Sequence, residues 1–238
     1  SNGDEILSTD HEYGAMSKAW EFITEKNGSI YKQVKLPFPI KSSNDILHQM
    51  KRSFSKKTKI LFISHITSST GMIFPVKELC KYAREHNIIT IIDGAHVPGH
   101  IELDIPNLNP DYYIGTCHKW LCTPKGVSFL YVKDNLQDSI DPLIIGWGWR
   151  DLDSTLSTFI INHEWWGTRD MSAYFCLPLS IDIHQSPNMQ NARKKCLEKI
   201  PLIRKEINNV INQSPICPSN MLGQMASIQI PKVDPIKF

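Results

Sequence analysis

The sequence has no run of 18 apolar residues, and its first residues, Ser-Asn-Gly-Asp-Glu, form neither a basic nor an apolar segment. A membrane-spanning helix needs about 20 predominantly apolar residues. A secretory leader needs a basic segment followed by an apolar one. These absences predict a soluble protein that does not bind membranes, and they favour a cytoplasmic location.

Cysteine is also sparse, with six among 238 residues, and no two of them form a Cys-x-x-Cys pair. Structural zinc sites and small disulfide frameworks both use closely spaced cysteines. The scatter therefore predicts a reduced intracellular protein without a metal site.

The chain lacks a strong excess of either charge, since 26 basic and 24 acidic residues leave a net charge of +2. The main basic cluster is short: Lys51-Arg52 with Lys56-Lys57. Nucleic-acid binding needs a larger basic surface, so we expect no nucleic-acid partner. The apolar share of 41% is that of an ordinary globular protein that can bury a sizeable core.

Two strand-like segments each end in side chains that can do chemistry. Residues 88–93 are rich in β-branched residues and stop at Asp93, shortly before His96. Residues 112–116 form a second such run, which is followed by His118 and Lys119. In open α/β sheets, ligands bind outside the carboxyl ends of the strands. The pattern therefore predicts a binding site at these two strand ends.

Strand-like and helix-like segments alternate through the first two thirds of the chain. We predict strands near residues 3–9, 30–36 and 57–64, and helices starting at Thr9 or Asp10, near 45–54, and from Pro75. Short connections between such units favour right-handed crossovers. The predicted fold is therefore α/β, with a mostly parallel sheet in a three-layer αβα arrangement.

A second, smaller α+β domain is predicted to begin at Ser186-Pro187, where the helical pattern breaks. It would contain a helix over residues 194–212 and a strand over residues 225–231. The predicted domains are thus 1–185 and 186–238.

An acid and a lysine at neighbouring strand ends suit a cofactor that carries a pyridine nitrogen and an aldehyde. The acid keeps the ring nitrogen protonated, and the amine forms a Schiff base. Taken alone, Asp93 could be a turn former and Lys119 a surface lysine. The two together, with His118 directly before the lysine, favour the chemical interpretation.

Three segments closely resemble the class V aminotransferase family: residues 93–96 (Asp-Gly-Ala-His), 116–119 (Thr-Cys-His-Lys) and 164–170 (Glu-Trp-Trp-Gly-Thr-Arg-Asp). The nearest branch is the isopenicillin-N epimerase-like enzymes, relatives of the cysteine desulfurases. The resemblance implies pyridoxal 5'-phosphate as cofactor, an amino acid as substrate, and a fold-type I large domain followed by the beginning of a small domain. It also implies a fragment, because such enzymes carry further segments on both sides.

The resemblance assigns roles to the residues at the two strand ends. Lys119 would form the Schiff base and, once released by substrate, act as the general base. Asp93 would pair with the pyridinium nitrogen, and His96 would hydrogen-bond the phenolic oxygen. Thr116 and His118 would bind the phosphate.

Three further positions are matched to the family outside these strand ends. His11 would lie flat on the cofactor ring. Ser68 stands where the epimerase-like branch uses small hydroxyl residues. Thr168 would reach the phosphate of a neighbouring subunit, which implies a homodimer with shared sites. Arg169 would bind either a substrate carboxylate or a structural acid such as Asp170.

The sequence is compatible with several alternatives. A group of tryptophans could line a substrate pocket, fill buried space or form a dimer interface: Trp147, Trp149, Trp165 and Trp166. The favoured reactions are epimerisation and C–S lysis of an amino acid. The alternatives are a class V aminotransferase and a non-catalytic, truncated scaffold.

Overall fold

One sheet of six strands organises the part of the chain that the computed structural model describes, residues 1–150, 155–164 and 166–231. The strands are β1 Glu5–Thr9, β2 Ile30–Val34, β3 Thr58–Ser64, β4 Ile89–Gly94, β5 Tyr112–Thr116 and β6 Ser128–Val132. They lie in the order β2-β1-β3-β4-β5-β6. The first five run parallel to one another, and β6 is antiparallel to β5. The predicted mostly parallel sheet is confirmed.

The helices in the described ranges are α1 Gly14–Asn27, α2 Ser43–Ser53, α3 Val76–Glu85, α4 Ile105–Leu108, α5 Thr158–Glu164, α6 Ser172–Phe175, α7 Leu177–Gln185 and α8 Pro187–Val210. Two of them begin at a serine cap. Ser42 accepts a hydrogen bond from the backbone of Asp45 at the start of α2, and Ser186 does the same for Met189 at the start of α8. Short 3-10 turns occupy Asp134–Ser139 and Ser219–Met221.

The core lies along the central strands and the helices α2 and α3 packed on them. Parallel strands covered by helices are buried on both faces, which explains their near-continuous apolar sequences. Fully buried side chains from both kinds of element meet here: Leu7, Leu61, Ile63 and Ile92 from the strands, with Met50, Leu79 and Ala83 from the helices.

The start of the first helix differs from the prediction. Helix α1 begins at Gly14, and neither Thr9 nor Asp10 caps it. The Thr9 hydroxyl donates to Glu12, and the Asp10 carboxylate accepts from the backbone N–H of Leu36. The Glu12 side chain and the backbone of Leu36 hold residues 10–12 in a turn after β1, so the helix starts later.

The segment after α8 also differs. Residues 225–231 are not a strand, and Leu222 forms only an isolated bridge with Met72. An extended segment becomes a strand only when a neighbour satisfies its backbone groups, and no such neighbour occurs in the described ranges. Helix α8 starts earlier than predicted, at Pro187, directly after α7 ends at Gln185. The division into two domains at this point stays a prediction.

Within the described residues, none of the helices is long and apolar enough to cross a lipid bilayer.

Candidate active site

A cavity of about 370 Å³ opens at the carboxyl edge of the sheet. Its lining comes from the ends of β3, β4 and β5 and from the beginning of α1: Tyr13, Met16, Phe62, Asp93, Ala95, Ile114, Thr116, His118 and Lys119. Four of the residues predicted for a site therefore lie together, namely Asp93, Thr116, His118 and Lys119.

Asp93 and Lys119 reach this cavity from neighbouring strands. The Oδ1 atom of Asp93 accepts a hydrogen bond of 2.9 Å from the backbone N–H of Ala95, which orients the carboxylate. Partial burial lowers the pKa of Lys119, while the charge of Asp93 acts in the opposite direction. A lowered pKa makes the uncharged, nucleophilic amine more available.

His96 lies beside the lysine. Its Nε2 atom is 3.2 Å from the Nζ atom of Lys119, and its Nδ1 atom is 3.2 Å from the indole nitrogen of Trp120. Burial lowers the pKa of His96, and the charge of Lys119 lowers it further, against the effect of Asp93. The lowered pKa favours the neutral imidazole, and both ring nitrogens have a neighbour within hydrogen-bonding distance.

Thr116 and His118 offer two hydrogen-bonding groups to the cavity. Thr116 is the last residue of β5 and lies opposite Ser128 in the antiparallel pair. The Nδ1 atom of His118 lies 3.1 Å from the carbonyl oxygen of Val127 and 3.3 Å from the backbone nitrogen of Gly126, which leaves Nε2 available to a ligand. A hydroxyl and an imidazole can both donate to an anionic oxygen.

His11 is not among the residues that line the cavity. It is 4% exposed, and its Nε2 atom donates to the carbonyl oxygen of Leu36 at 3.0 Å. Its Nδ1 atom lies 3.2 Å from the hydroxyl of Thr70. Both ring nitrogens thus have partners within the chain, and a contact of His11 with a cofactor ring stays a prediction. The aromatic side chain that does line the cavity is Tyr13, which is 54% exposed.

Ser68 and Thr168 are exposed, and neither belongs to the described lining of the cavity. The guanidinium of Arg169 lies over the ring of Trp166, 4.2 Å from its centroid. Asp170 instead accepts a hydrogen bond of 2.8 Å from the backbone of Ser172.

Of the four tryptophans, Trp165 lies outside the described residues. Trp147 is 89% exposed, Trp166 is 45% exposed and Trp149 is 38% exposed. Buried packing within the chain is therefore the wrong interpretation for Trp147, and a surface role remains.

Glu12 was missed by the sequence analysis. It is 7% exposed and accepts hydrogen bonds from the Thr9 hydroxyl at 2.6 Å and from the backbone N–H of Ser64 at 2.8 Å, as well as from the Ser64 hydroxyl. Burial raises the pKa of Glu12 from 4.5 to about 7, although these hydrogen bonds act against the rise. A glutamate in a polar segment gives no local signal that the fold will bury it.

Known proteins resemble this chain over nearly its whole length. The family described as Aminotransferase class-V matches residues 1–238. An isopenicillin N epimerase of Amycolatopsis lactamdurans is 30% identical over 241 residues, covering 96% of this chain and 61% of that protein. A putative L-cysteine desulfhydrase of Oryza sativa subsp. japonica is 28% identical over 250 residues, covering 97% of this chain and 49% of that protein.

Among solved structures, the apo cysteine desulfurase from Thermococcus onnurineus NA1 superimposes with a TM-score of 0.81 at 21% identity, covering 100% of this chain and 59% of that one. At this identity the likeness shows the fold. The chain thus spans about half to three fifths of the length of the proteins it matches.

The raised pKa of Glu12 predicts a pH-dependent stability. The folded state binds this proton more tightly than the unfolded state, so the contribution is fully present below about pH 4.5 and is lost as the pH rises through about 7. Since one pKa unit corresponds to about 1.4 kcal/mol, Glu12 should lower the free energy of unfolding of the wild type by on the order of 2 kcal/mol between pH 5 and pH 8. Glu12→Gln should not show this decrease.

Urea unfolding of both proteins at the two pH values measures this difference. Glu25→Gln, on the exposed side of α1, is the matched control and should keep the wild-type pH dependence. An unchanged pH dependence in Glu12→Gln would show that folding does not raise the pKa of Glu12.

Proposed function

This chain belongs to the class V aminotransferase family, whose cofactor is pyridoxal 5'-phosphate, and on that premise we propose that Lys119 carries this cofactor in an enzyme acting on an amino acid. The observation that supports the proposal most is the meeting of Lys119 and Asp93 in one cavity, from the ends of two neighbouring parallel strands. The chain spans only part of its relatives' length, so the activity of a whole enzyme belongs to the proposal.

The groups around the cavity fit the cofactor chemically. Tyr13 offers an aromatic face for a pyridine ring, and Asp93 offers a carboxylate for its nitrogen. Lys119 offers the amine, and Thr116 with His118 offers donors for a phosphate. When bound, the cofactor supplies an electron sink that stabilises negative charge at the α-carbon of the substrate.

Each residue then has a definite task. Lys119 holds the cofactor and, when substrate displaces it, removes or returns the proton at the α-carbon. Asp93, oriented by the backbone of Ala95, keeps the proton on the ring nitrogen. We assign the contact with the face of the ring to Tyr13 instead of His11, because Tyr13 lines the cavity and the nitrogens of His11 are occupied.

His96 and Ser68 complete the set within this chain. His96 is proposed as the donor to the phenolic oxygen of the cofactor, since it lies next to the Lys119 amine. Ser68 follows β3 at the same edge of the sheet as Asp93, and its exposed hydroxyl is proposed to bind the cofactor there.

The reaction that we favour is epimerisation or C–S lysis of an amino acid. The relatives that support this choice are the isopenicillin N epimerase and the L-cysteine desulfhydrase. An aminotransferase, which would use the same cofactor, is the second candidate. A non-catalytic scaffold is the candidate that is not an enzyme. The six free cysteines support a reducing compartment, and we propose the cytoplasm.

A second copy of the chain is the proposed partner. Leu143, Ile145 and Trp147 are 101%, 60% and 89% exposed within a short segment, and soluble monomers rarely leave such apolar surface uncovered. Thr168 is exposed as well, so it is free to reach the phosphate of a neighbouring subunit.

Sedimentation equilibrium should show a dimer that Trp147→Ser weakens and the control Phe22→Ser on α1 does not. A wild-type monomer at every concentration would rule this partner out.

Borohydride trapping tests the cofactor assignment. The protein is incubated with pyridoxal phosphate, reduced and digested, and the added mass is located by tandem mass spectrometry. We expect the mass on Lys119, because its amine has a lowered pKa and faces the cavity. Lys119→Arg should abolish this label, and Lys125→Arg, at an exposed position nearby, should keep it. A folded protein labelled at another lysine, with Lys119 bare, contradicts the assignment.

A panel of amino acids tests the reaction class. The keto acid, ammonia, sulfide and the inverted isomer are measured separately in protein shown to carry the cofactor. We expect either the inverted isomer, or sulfide and ammonia released together from a sulfur-containing substrate. Amino-group transfer to an added keto acid would favour the aminotransferase. A lack of turnover with the cofactor in place would favour the scaffold.

A further inference from the structure

The hydrogen bonds of His96 determine which of its nitrogens carries a proton. An indole N–H can only donate, so the Nδ1 atom of His96, 3.2 Å from the indole nitrogen of Trp120, must accept. A neutral imidazole has one protonated nitrogen, which is therefore Nε2. This atom lies 3.2 Å from the Nζ atom of Lys119.

Trp120 is itself held by a second histidine. The rings of His100 and Trp120 lie with their centroids 4.1 Å apart, at an angle of 37°. The Nδ1 atom of His100 donates to the carbonyl oxygen of His96 at 2.9 Å, and its Nε2 atom accepts from the backbone N–H of Gln224. His100 is fully buried, and burial lowers its pKa to about 4, which keeps this donor and acceptor pattern in place.

Gln224 and its neighbour Gly223 also contact the segment that carries His100. The side-chain amide of Gln224 donates to the carbonyl oxygens of Gly99 at 3.2 Å and His100 at 2.7 Å. A Cβ atom at Gly99 would lie 2.5 Å from the carbonyl oxygen of Trp120, and one at Gly223 would lie 2.2 Å from the His100 ring. Trp120 and His100 therefore have little room to shift.

We propose that Trp120 is a positioning residue that fixes the tautomer of His96 with its proton on Nε2, and that the contact between His100 and Gln224 holds Trp120 in place. The tautomer follows from this chain alone. The role of the Nε2–H group, which is to donate a hydrogen bond to the phenolic oxygen of the cofactor bound at Lys119, rests on the proposed function.

The tautomer has a direct consequence for the lysine. An Nε2–H group donates to the lone pair of an uncharged Lys119 amine and so favours the uncharged form. In the other tautomer, Nε2 would accept a hydrogen bond from the Lys119 ammonium and favour the charged form. Trp120 thereby acts on Lys119 through His96.

The first experiment observes the tautomer in the protein without cofactor, by long-range ¹H–¹⁵N spectra of the histidine rings. His96→Gln identifies the His96 signals. The wild type should show an unprotonated Nδ1 and a protonated Nε2, and Trp120→Phe, which keeps a ring but lacks the N–H, should show a mixture. Trp20→Phe is the control, because the Trp20 indole N–H has no acceptor among the described residues.

The second experiment measures the pH profile of Lys119 labelling by an amine-reactive reagent. Trp120→Phe should raise the apparent pKa of Lys119 by about one unit, as expected when a hydrogen bond to a charged group replaces one to the neutral form. The same substitution in a His96→Gln background should have no such effect, because glutamine has no ring tautomer to set.

Two results would overturn the proposal. One is a wild-type His96 protonated on Nδ1, which needs no variant to detect. The other is an equal shift of the Lys119 profile by Trp120→Phe in both backgrounds, which would show a merely structural role. Both measurements are made without cofactor, so their failure is distinct from a failure of the borohydride test.

Discussion

The buried carboxylate of Glu12 joins two strand ends at the edge of the sheet where the cavity opens. It accepts hydrogen bonds from Thr9 at the end of β1 and from the backbone and side chain of Ser64 at the end of β3. Ser64 in turn lies in register with Asp93. A carboxylate removed from water is costly unless such bonds satisfy it. The bonds that satisfy Glu12 therefore also hold the turn before Tyr13 against β3, the neighbour of the strand that carries Asp93.

The parallel sheet explains why residues distant in sequence share one cavity. Each parallel strand must be reached by a crossover, so all the carboxyl ends point to one edge. Asp93 ends β4, and Lys119 follows β5. The close approach of these strands depends on Gly94, because a Cβ atom there would lie 2.2 Å from the ring of buried Tyr113. The Tyr113 hydroxyl lies 3.0 Å from the Nδ1 atom of His65, which ties β5 to the end of β3.

The predicted site residues that line the cavity directly end or follow a strand. Asp93, Thr116 and Lys119 belong to this group. A β-branched run marks a buried strand in the sequence, and the parallel topology then brings the carboxyl ends of the strands to one edge. His11 and Tyr13 show the limit of this reasoning. Which of them reaches the cavity depends on where α1 begins, and that depends on the partners that Glu12 and Leu36 provide to Thr9 and Asp10. Leu36 is distant from Asp10 in sequence, so no helix-start rule contains this partner.

By itself the sequence determined the alternation of strands and helices, the mostly parallel sheet, and the presence of an acid and a lysine at adjacent strand ends. Each of these features follows from the pattern of residue types along a short stretch of the sequence. Only the tertiary structure decided the burial of Glu12, the position of Tyr13 in the lining of the cavity, and the hydrogen bond from Trp120 to His96. The physical reason is that burial and hydrogen-bond pairing are properties of groups brought together by folding, and no single segment records its partners.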